Sequence, residues 1–422
     1  MISVEEALEC ILAKVPVLEE EARPLVMSLG QVIAEDVYSE VNVPPADHSI
    51  MDGYAVRSGD TLGASADHPP VLRVIGEAAA GRPSVTVVTS GTAVRIMTGA
   101  LVPMGADAIV PLEDTDEYVA GVKNQNRERK SVTILREAAS GNYIRRAGDD
   151  IARGVLAVRR GTVIRPGEVG VLASLGRSTV LVHRRPVVAI LATGDELVEP
   201  GGPLHEGQIY CSNCYSLAAQ TLRCGGIPKI IGIARDRPDD LAAKVEAGLA
   251  ADMLITAGGV STGDYDFMQD VMAANGEINF RTVRMKPGKP LVFGTFRTGA
   301  ARQRLVPHLG LPGNPAGCMV AFEEFARPAI MKMLGYQDLG RTAVDAIAES
   351  EIQNRGDYRF YGPARVERRD GTYYARLIES QRFGVLTSLA MANGLIVVPE
   401  GVARIMAGEK VRIRLLDALN QL

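Results

Sequence analysis

Apolar and polar positions follow different periods in different parts of this chain. Near the start, Leu8, Ile11, Leu12 and Val15 share one helical face, and Ser3 with Glu6 forms a capping-box pattern, so a helix over 3–15 is predicted. From about 66 to 140 the apolar runs shorten to Val71–Ile75, Ala93–Met97, Ala108–Leu112 and Val132–Leu135, punctuated by Gly and Pro. No helical period is found there, which predicts a small all-β insert. A helix over Pro166–Leu175 follows, started by its proline and stopped at Gly176.

Between 182 and 334 the two periods alternate. Strands are predicted at Val187–Ala192, Lys229–Ile233, Met253–Thr256 and Leu305–Leu309, and helices at Asn213–Arg223, Pro238–Ala250, Phe267–Ala274 and Ala316–Leu334. Two further strands, Ile278–Val283 and Leu291–Thr295, fall before the last pair. Alternation of this kind implies βαβ units and a mostly parallel sheet. After Gly335 short strands return, among them Tyr373–Ile378, Leu395–Val398 and Val411–Leu415, which predicts a C-terminal β domain.

Composition narrows the function classes. The 422 residues allow about three domains. A net charge of −4 offers no global attraction for nucleic acid, so any anion site must be local. No apolar run reaches the length of a membrane span. The acidic start, Met1-Ile-Ser-Val-Glu-Glu6, lacks a basic signal-peptide region, and the five cysteines are an odd number; both fit a cytoplasmic protein with reduced thiols. Cys211-Ser-Asn-Cys214 has no second pair and no clustered histidines, so buried free thiols are expected rather than zinc.

The candidate chemistry gathers where a parallel sheet binds ligands, beyond the carboxyl ends of its strands. There the chain places Thr193-Gly-Asp-Glu196, Arg235-Asp236, Gly258-Gly259 through Asp266, and Gly310-Leu-Pro-Gly-Asn-Pro315. The glycine turn from Gly258 to Ser261 can turn bare backbone N–H groups toward an anion. Asp264 and Asp266 would repel a phosphate unless a cation lies between, which points to a phosphate-bearing ligand with Mg²⁺. A plain βα turn with capping aspartates explains each loop singly but accounts less well for four of them together. Lys286 and Lys289, in Met285-Lys-Pro-Gly-Lys-Pro290, can reach phosphate oxygens or stand as solvated turn lysines. Upstream lie Pro44–Ala55 with Asp52, Arg95–Ala100 with Thr98, and Ile144–Ile151, where Arg145 and Asp150 form either an oxyanion fork or a hinge ion pair.

These motifs together resemble the molybdopterin molybdenumtransferase family, MoeA, which includes the E domain of gephyrin. MDGYAV at 51–56, MTGA at 97–100, TGDEL at 193–197, GGVSTGDYD at 258–266, KPGKP at 286–290 and GLPGNP at 310–315 occur in the family's order, end to end. The resemblance implies a multidomain α/β and β fold. It comprises a split elongated helical domain (1–44 plus 144–181), an inserted β domain (45–143), a MogA-like α/β domain (182–334) and a C-terminal β-barrel domain (335–422). It implies a cytoplasmic homodimer that converts adenylated molybdopterin and molybdate to molybdenum cofactor, releasing AMP with the help of Mg²⁺. The upstream molybdopterin adenylyltransferase becomes a candidate partner, and neither nucleic acid nor membrane is expected.

Carried over by position, Asp52, Thr98, Glu196, Asp236 and Asp266 are catalytic candidates, and the last three are candidate Mg²⁺ ligands. Arg145, Asp150, Gly258, Gly259, Ser261, Lys286, Lys289, Pro312 and Pro315 are candidates for substrate binding. Departures from the family pattern stand at His48, Thr282, Gly317 and Gln381-Arg382-Phe383. Two rival functions share these features: a nucleotidyltransferase acting on molybdopterin, and a non-catalytic dimeric scaffold of the same fold.

Overall fold

The computed structural model describes residues 1–119, 122–123, 129–259, 271–272, 276–298, 304–354, 356–378 and 385–416. The chain divides into two compact units. One holds Met1–Arg23, Ser28–Ala34 and Leu181–Leu422; the other holds Pro24–Met27 and Glu35–Val180.

Helix α1 (Val4–Lys14) opens the larger unit. Its capping box forms as the sequence predicts: Glu6 N–H donates to Ser3 Oγ at 3.1 Å, and Ser3 N–H donates to Glu6 Oε2 at 2.7 Å. Such a cap satisfies two donors that a helix end otherwise leaves unpaired.

The smaller unit carries a five-stranded sheet. Its strands are β1 (Gly53–Val56), β2 (Val71–Ala78), β3 (Thr92–Ile96), β4 (Ala108–Pro111) and β5 (Ser131–Thr133), in the order β5-β2-β3-β1-β4. β1, β3 and β4 are buried throughout, which explains why they read as continuous apolar runs. Gly53 is required by close approach, since a Cβ there would lie 2.0 Å from the Val110 carbonyl oxygen. The same unit contains α2 (Pro166–Ser174), stopped by Gly176 at φ +79°.

The α/β part of the larger unit comprises β6 (Val187–Thr193), α3 (Ser212–Arg223), β7 (Ile227–Ala234), α4 (Pro238–Gly248), β8 (Met253–Ala257), β9 (Gly276–Thr282), β10 (Pro290–Thr298) and β11 (Arg304–Leu311). The sheet order is β7-β6-β8-β11-β10-β9. The first four are parallel, and β10 and β9 add an antiparallel edge. The expected helix over Phe267–Ala274 lies mainly outside the described residues; Val271 and Met272 are helical. The single long helix expected after β11 is instead α5 (Pro315–Ala321), a π-helical segment (Phe322–Ala326) and α6 (Arg327–Met333). Pro328 supplies no N–H to an α-type ladder, so a change of hydrogen-bond register just before it is the expected accommodation.

Helices cover both faces of this sheet. Leu241 and Val245 of α4 pack on Ala189, Leu191 and Leu254. Leu217 of α3, Phe322, Phe325 and Ile330 pack on the other face with Ile190, Ile255 and Leu309, where α1 joins through Ala7 and Ile11.

The chain ends in β12 (Ala343–Ala348), β13 (Arg359–Arg369), β14 (Thr372–Leu377), α7 (Leu386–Met391), β15 (Gly394–Val398) and β16 (Lys410–Leu415). Pairings run β13-β14-β12-β16-β15 and back to β13, so five strands close into a barrel around Val366, Ile396 and Ile413. Closure removes the open edges that a flat sheet would expose.

Candidate functional site

β7 and β8 flank β6, and the chain leaves β6 toward β7 but reaches β8 afterwards. The crevice beyond the carboxyl ends of β6 and β8 is therefore a topological switch point, where open α/β sheets bind ligands. A cleft of about 510 Å³ lies there. Among the described residues, its walls include Thr193, Gly194 and Glu196 after β6, Asp236 after β7, Gly258 and Gly259 after β8, and Pro312 to Pro315 after β11.

The loops are built for close approach. Gly258 and Gly259 adopt φ +94° and +64°, and a Cβ on either would come within 2.9 Å of Thr193. The Gly258 N–H donates to the Leu311 carbonyl at 3.0 Å, tying the loop after β8 to the end of β11. Asp195 and Asp236 hold each other: the Asp195 N–H donates to Asp236 Oδ2 at 3.3 Å and the Asp236 N–H to Asp195 Oδ1 at 3.2 Å. Arg235 braces that turn by donating to the carbonyls of Asp195 and Leu197 at 3.1 and 3.2 Å. Asp195, Glu196 and Asp236 are all exposed.

Two helix starts border the cleft. Cys211 is the N-cap of α3, and Asn314 caps α5 by accepting from the Gly317 N–H at 3.1 Å. A helix start brings unpaired N–H groups and partial positive charge, which suits an anion beside the carboxylates. Asn213 donates from Nδ2 to the Gly313 carbonyl at 2.8 Å, and both its Oδ1 and the Thr193 hydroxyl are buried without a partner among the described residues. Such atoms at a cleft wall are the ones a ligand satisfies.

Sequence reasoning named the loop that holds Asp195 without singling that residue out, weighed Cys211 only as a thiol or zinc ligand, and passed over Asn213. The signal was present: the start of the helix following the first parallel strand belongs to the same edge as the glycine loops. The C-x-x-C itself is buried, as expected. The neighbouring Cys214 side chain lowers the Cys211 thiol pKa, and the same contact, with burial, pushes the Cys214 thiol up. Among the described residues, no three His, Cys, Asp or Glu side chains group closely enough to hold a metal.

Other candidates fall elsewhere. Of the Lys286–Pro290 turn, Pro290 lines the cleft, whereas Lys289 Nζ stands 5.4 Å from the centre of the Tyr358 ring. Ser261, Asp264 and Asp266 lie outside the described residues, as do Gln381, Arg382 and Phe383. In the smaller unit, Thr98 donates from its N–H and its hydroxyl to Asp52 Oδ1 at 2.9 and 3.0 Å. Arg145 and Asp150 form an exposed ion pair at 3.3 Å in the same unit. At Gly317 a Cβ would meet the Pro312 ring at 3.3 Å, so a serine there would press on the cleft wall.

A mainly parallel sheet with helices on both faces, a glycine-lined cleft at its switch point and a separate closed barrel define a multidomain α/β protein with its candidate ligand site at the strand ends. Three family models match the chain in order. They are the MoeA N-terminal region (domains I and II) at residues 2–176, a probable molybdopterin-binding domain at 189–332, and the MoeA C-terminal region (domain IV) at 345–416. Molybdopterin molybdenumtransferase 2 of Mycobacterium tuberculosis is 35% identical over 397 residues, 92% of this chain and 93% of that protein. The molybdopterin molybdenumtransferase of a Nostoc species is 35% identical over 98% of this chain and 93% of its own length. A solved molybdopterin biosynthesis MoeA protein of Pyrococcus horikoshii superposes with a TM-score of 0.82 at 30% identity, covering 99% of this chain and all of its own. The chain belongs to the MoeA family of molybdopterin molybdenumtransferases.

Proposed function

We propose that this enzyme inserts molybdate into adenylated molybdopterin, forming molybdenum cofactor and releasing AMP. The observation that carries the reading is the convergence of four sequence-distant loops, with their carboxylates and glycines, on one cleft of a MoeA-family chain.

In this reading the positive-φ glycines Gly258 and Gly259 let backbone approach the ligand's phosphate. The starts of α3 and α5 stabilise its charge, and the Thr193 hydroxyl and Asn213 Oδ1 fix its orientation. Pro312 and Pro315 stiffen the opposite wall. Glu196 and Asp236, with Asp266 and the neighbouring Asp195, are the residues that would hold Mg²⁺. Their all-oxygen chemistry suits that ion, which needs only one or two carboxylates when phosphate oxygens complete its shell. When bound, it supplies charge neutralisation at the phosphoanhydride. Lys286 and Lys289 would contribute positive charge from the turn before β10. Molybdate enters as substrate, and the ligand's own dithiolene sulfurs receive the molybdenum, so no protein thiol is required.

Of the domain limits implied by the resemblance, 1–44 with 144–181, 45–143, 182–334 and 335–422, we keep all but the first stretch of 1–44, since Met1–Arg23 groups with the α/β part. The enzyme is read as a cytoplasmic homodimer, served by the upstream molybdopterin adenylyltransferase, in which Asp52 and Thr98 of one subunit complete the cleft of its partner; Arg145 and Asp150 belong to that same contribution. The test is to supply adenylated molybdopterin with molybdate or tungstate and follow AMP release and metal incorporation, with and without chelation. A folded protein that releases no AMP with either oxyanion would defeat the reading. The shared cleft has its own test. Asp52→Ala and Asp236→Ala homodimers should both be inactive, while their mixed dimer holds one intact cleft and regains part of the activity. A well-folded but dead mixed dimer would refute sharing.

A further inference from the structure

Helix α3 begins beside the strand-end cleft with two thiols that the proposed reaction does not use. Cys211 is its N-cap and Cys214 stands three residues on, so both side chains belong to the first turn. Both are buried, and the two side chains touch. Cys211 lines the cleft, whereas Cys214 belongs to the apolar core with Leu217 and Ile233. The Cys214 Sγ lies 3.8 Å from the Gly232 carbonyl oxygen, a weak tie for a weak donor.

Reactive thiols sit at helix starts, where unpaired N–H groups favour the thiolate, and with some access to solvent. Cys211 meets both conditions. Contact with Cys214 holds its thiol pKa below the ordinary value, while that contact and burial push Cys214 up. The third thiol of this core, Cys318 on α5, is fully buried and is pushed up by burial. Cys211 is thus the attacking sulfur and Cys214 the one placed to trap the product.

We propose that Cys211 and Cys214 form a peroxide-sensitive redox pair whose disulfide impairs the strand-end cleft. The Cys211 thiolate attacks hydrogen peroxide: an S–O bond forms, the O–O bond breaks, and hydroxide leaves with the thiol's proton as water. Cys214 Sγ then attacks the sulfur of the resulting sulfenic acid. An S–S bond forms, the S–O bond breaks, and the departing hydroxide takes the Cys214 proton as a second water. The two thiols lose two electrons and the peroxide gains them. Burial restricts the first step to a small oxidant. A dithiol reductant reverses the bond by exchange.

The ring closed by this disulfide contains Asn213. Its Nδ2 donates to the Gly313 carbonyl at 2.8 Å, and its Oδ1 is buried at the cleft without a partner among the described residues. Drawing the two sulfurs to about 2 Å re-sets the turn that carries Asn213 and the helix-start N–H groups. The effect on turnover rests on the function proposed above; the bond itself does not.

Reduced full-length protein is treated with hydrogen peroxide, its remaining thiols are blocked, and its disulfides are mapped by mass spectrometry. A Cys211–Cys214 bond is expected. AMP release should fall about tenfold, within what a small misplacement of an orienting group can cost, and should return with dithiothreitol. Reduced Cys214→Ser should keep its AMP release, form no disulfide, and hold a Cys211 sulfenic acid that dimedone traps. A pair that stays reduced under peroxide, or a bond from Cys211 to Cys318 instead, would overturn the proposal. So would a mapped Cys211–Cys214 bond that leaves AMP release unchanged. A reduced enzyme that releases no AMP fails the function proposed above, and mapping then decides the redox pair alone.

Discussion

Charge is used in opposite ways in the two units. In the smaller one, Glu117 is wholly buried, accepting from Tyr54 Oη at 2.6 Å and from Arg95 Nη2 at 2.5 Å, and Arg95 is itself 6% exposed. Burial, then Glu117, push the Tyr54 pKa far above its usual value, so the tyrosine stays a neutral donor. At the strand-end cleft, Asp195, Glu196 and Asp236 are exposed and have no ion-pair partner among the described residues; backbone N–H groups hold the two aspartates. A carboxylate whose partners are all inside the fold is committed to stability. One fixed by its neighbours' backbone, with its oxygens facing a cleft, remains available to a ligand or cation.

The largest effect should come from breaking the buried set. Glu117→Gln leaves the Arg95 guanidinium buried without a counter-charge, and a destabilisation of about 3–5 kcal/mol is expected in denaturant unfolding. A loss under about 1 kcal/mol would show that water relieves the charge and that the set is not the anchor it looks to be. The opposite signature is expected at the cleft. Asp236→Asn should shift stability by no more than about 0.5 kcal/mol. It should slow AMP release about a hundredfold, a loss typical of removing one electrostatic group from an active site. A stability loss comparable to that of Glu117→Gln would erase the distinction.

The sequence made the cleft legible because its loops carry residues that ordinary packing does not need. Gly258, Asp236 and Pro312 lie far apart in the chain, and the rule that ligands sit beyond parallel strand ends brings them together. Alternation of strand and helix likewise predicted β6 to β8 and the helices between them to within one or two residues. Barrel closure was implied by the family resemblance but not by the local pattern, because pairing β13 with both β14 and β15 depends on long-range register that no short run of residues encodes. The π segment ahead of Pro328 was hidden for a related reason: apolar spacing over 315–334 reads as one uninterrupted helix. Lys289 shows the limit at the level of a side chain, since nothing near it in sequence announces Tyr358.

A smaller effect tests the core beneath the cleft. His308 on β11 is fully buried, with Nε2 2.9 Å from the Thr256 hydroxyl and Nδ1 3.2 Å from the Met272 sulfur. Burial lowers its pKa to about 3. The unfolded imidazole takes its proton near 6.5, whereas the folded one resists until about 3. Stability from this group is therefore complete above pH 6.5 and lost as pH falls. The slope should approach about 1.4 kcal/mol per pH unit between those values. His308→Gln should remove that part of the slope whatever it does to absolute stability, and an unchanged slope would assign the acid sensitivity to carboxylates instead.

The smallest effect is expected at Cys211 and Cys214, which belong to neither class of charge. Cys211 lines the cleft but is 1% exposed, and its lowered thiol pKa comes first from the neighbouring Cys214 side chain. That contact is an arrangement between two side chains and needs no ligand. Serine can replace both. At position 211 it is a preferred helix N-cap, so the start of α3 is kept or improved. At 214 its hydroxyl can still donate toward the Gly232 carbonyl, which the Cys214 sulfur now faces at 3.8 Å. Cys211→Ser with Cys214→Ser should therefore change stability by less than about 1 kcal/mol and keep most of the AMP release. A folded double variant that no longer turns over would place the Cys211 sulfur among the groups that act on the ligand. Burial beside the cleft would then no longer separate structural from functional charge in this protein.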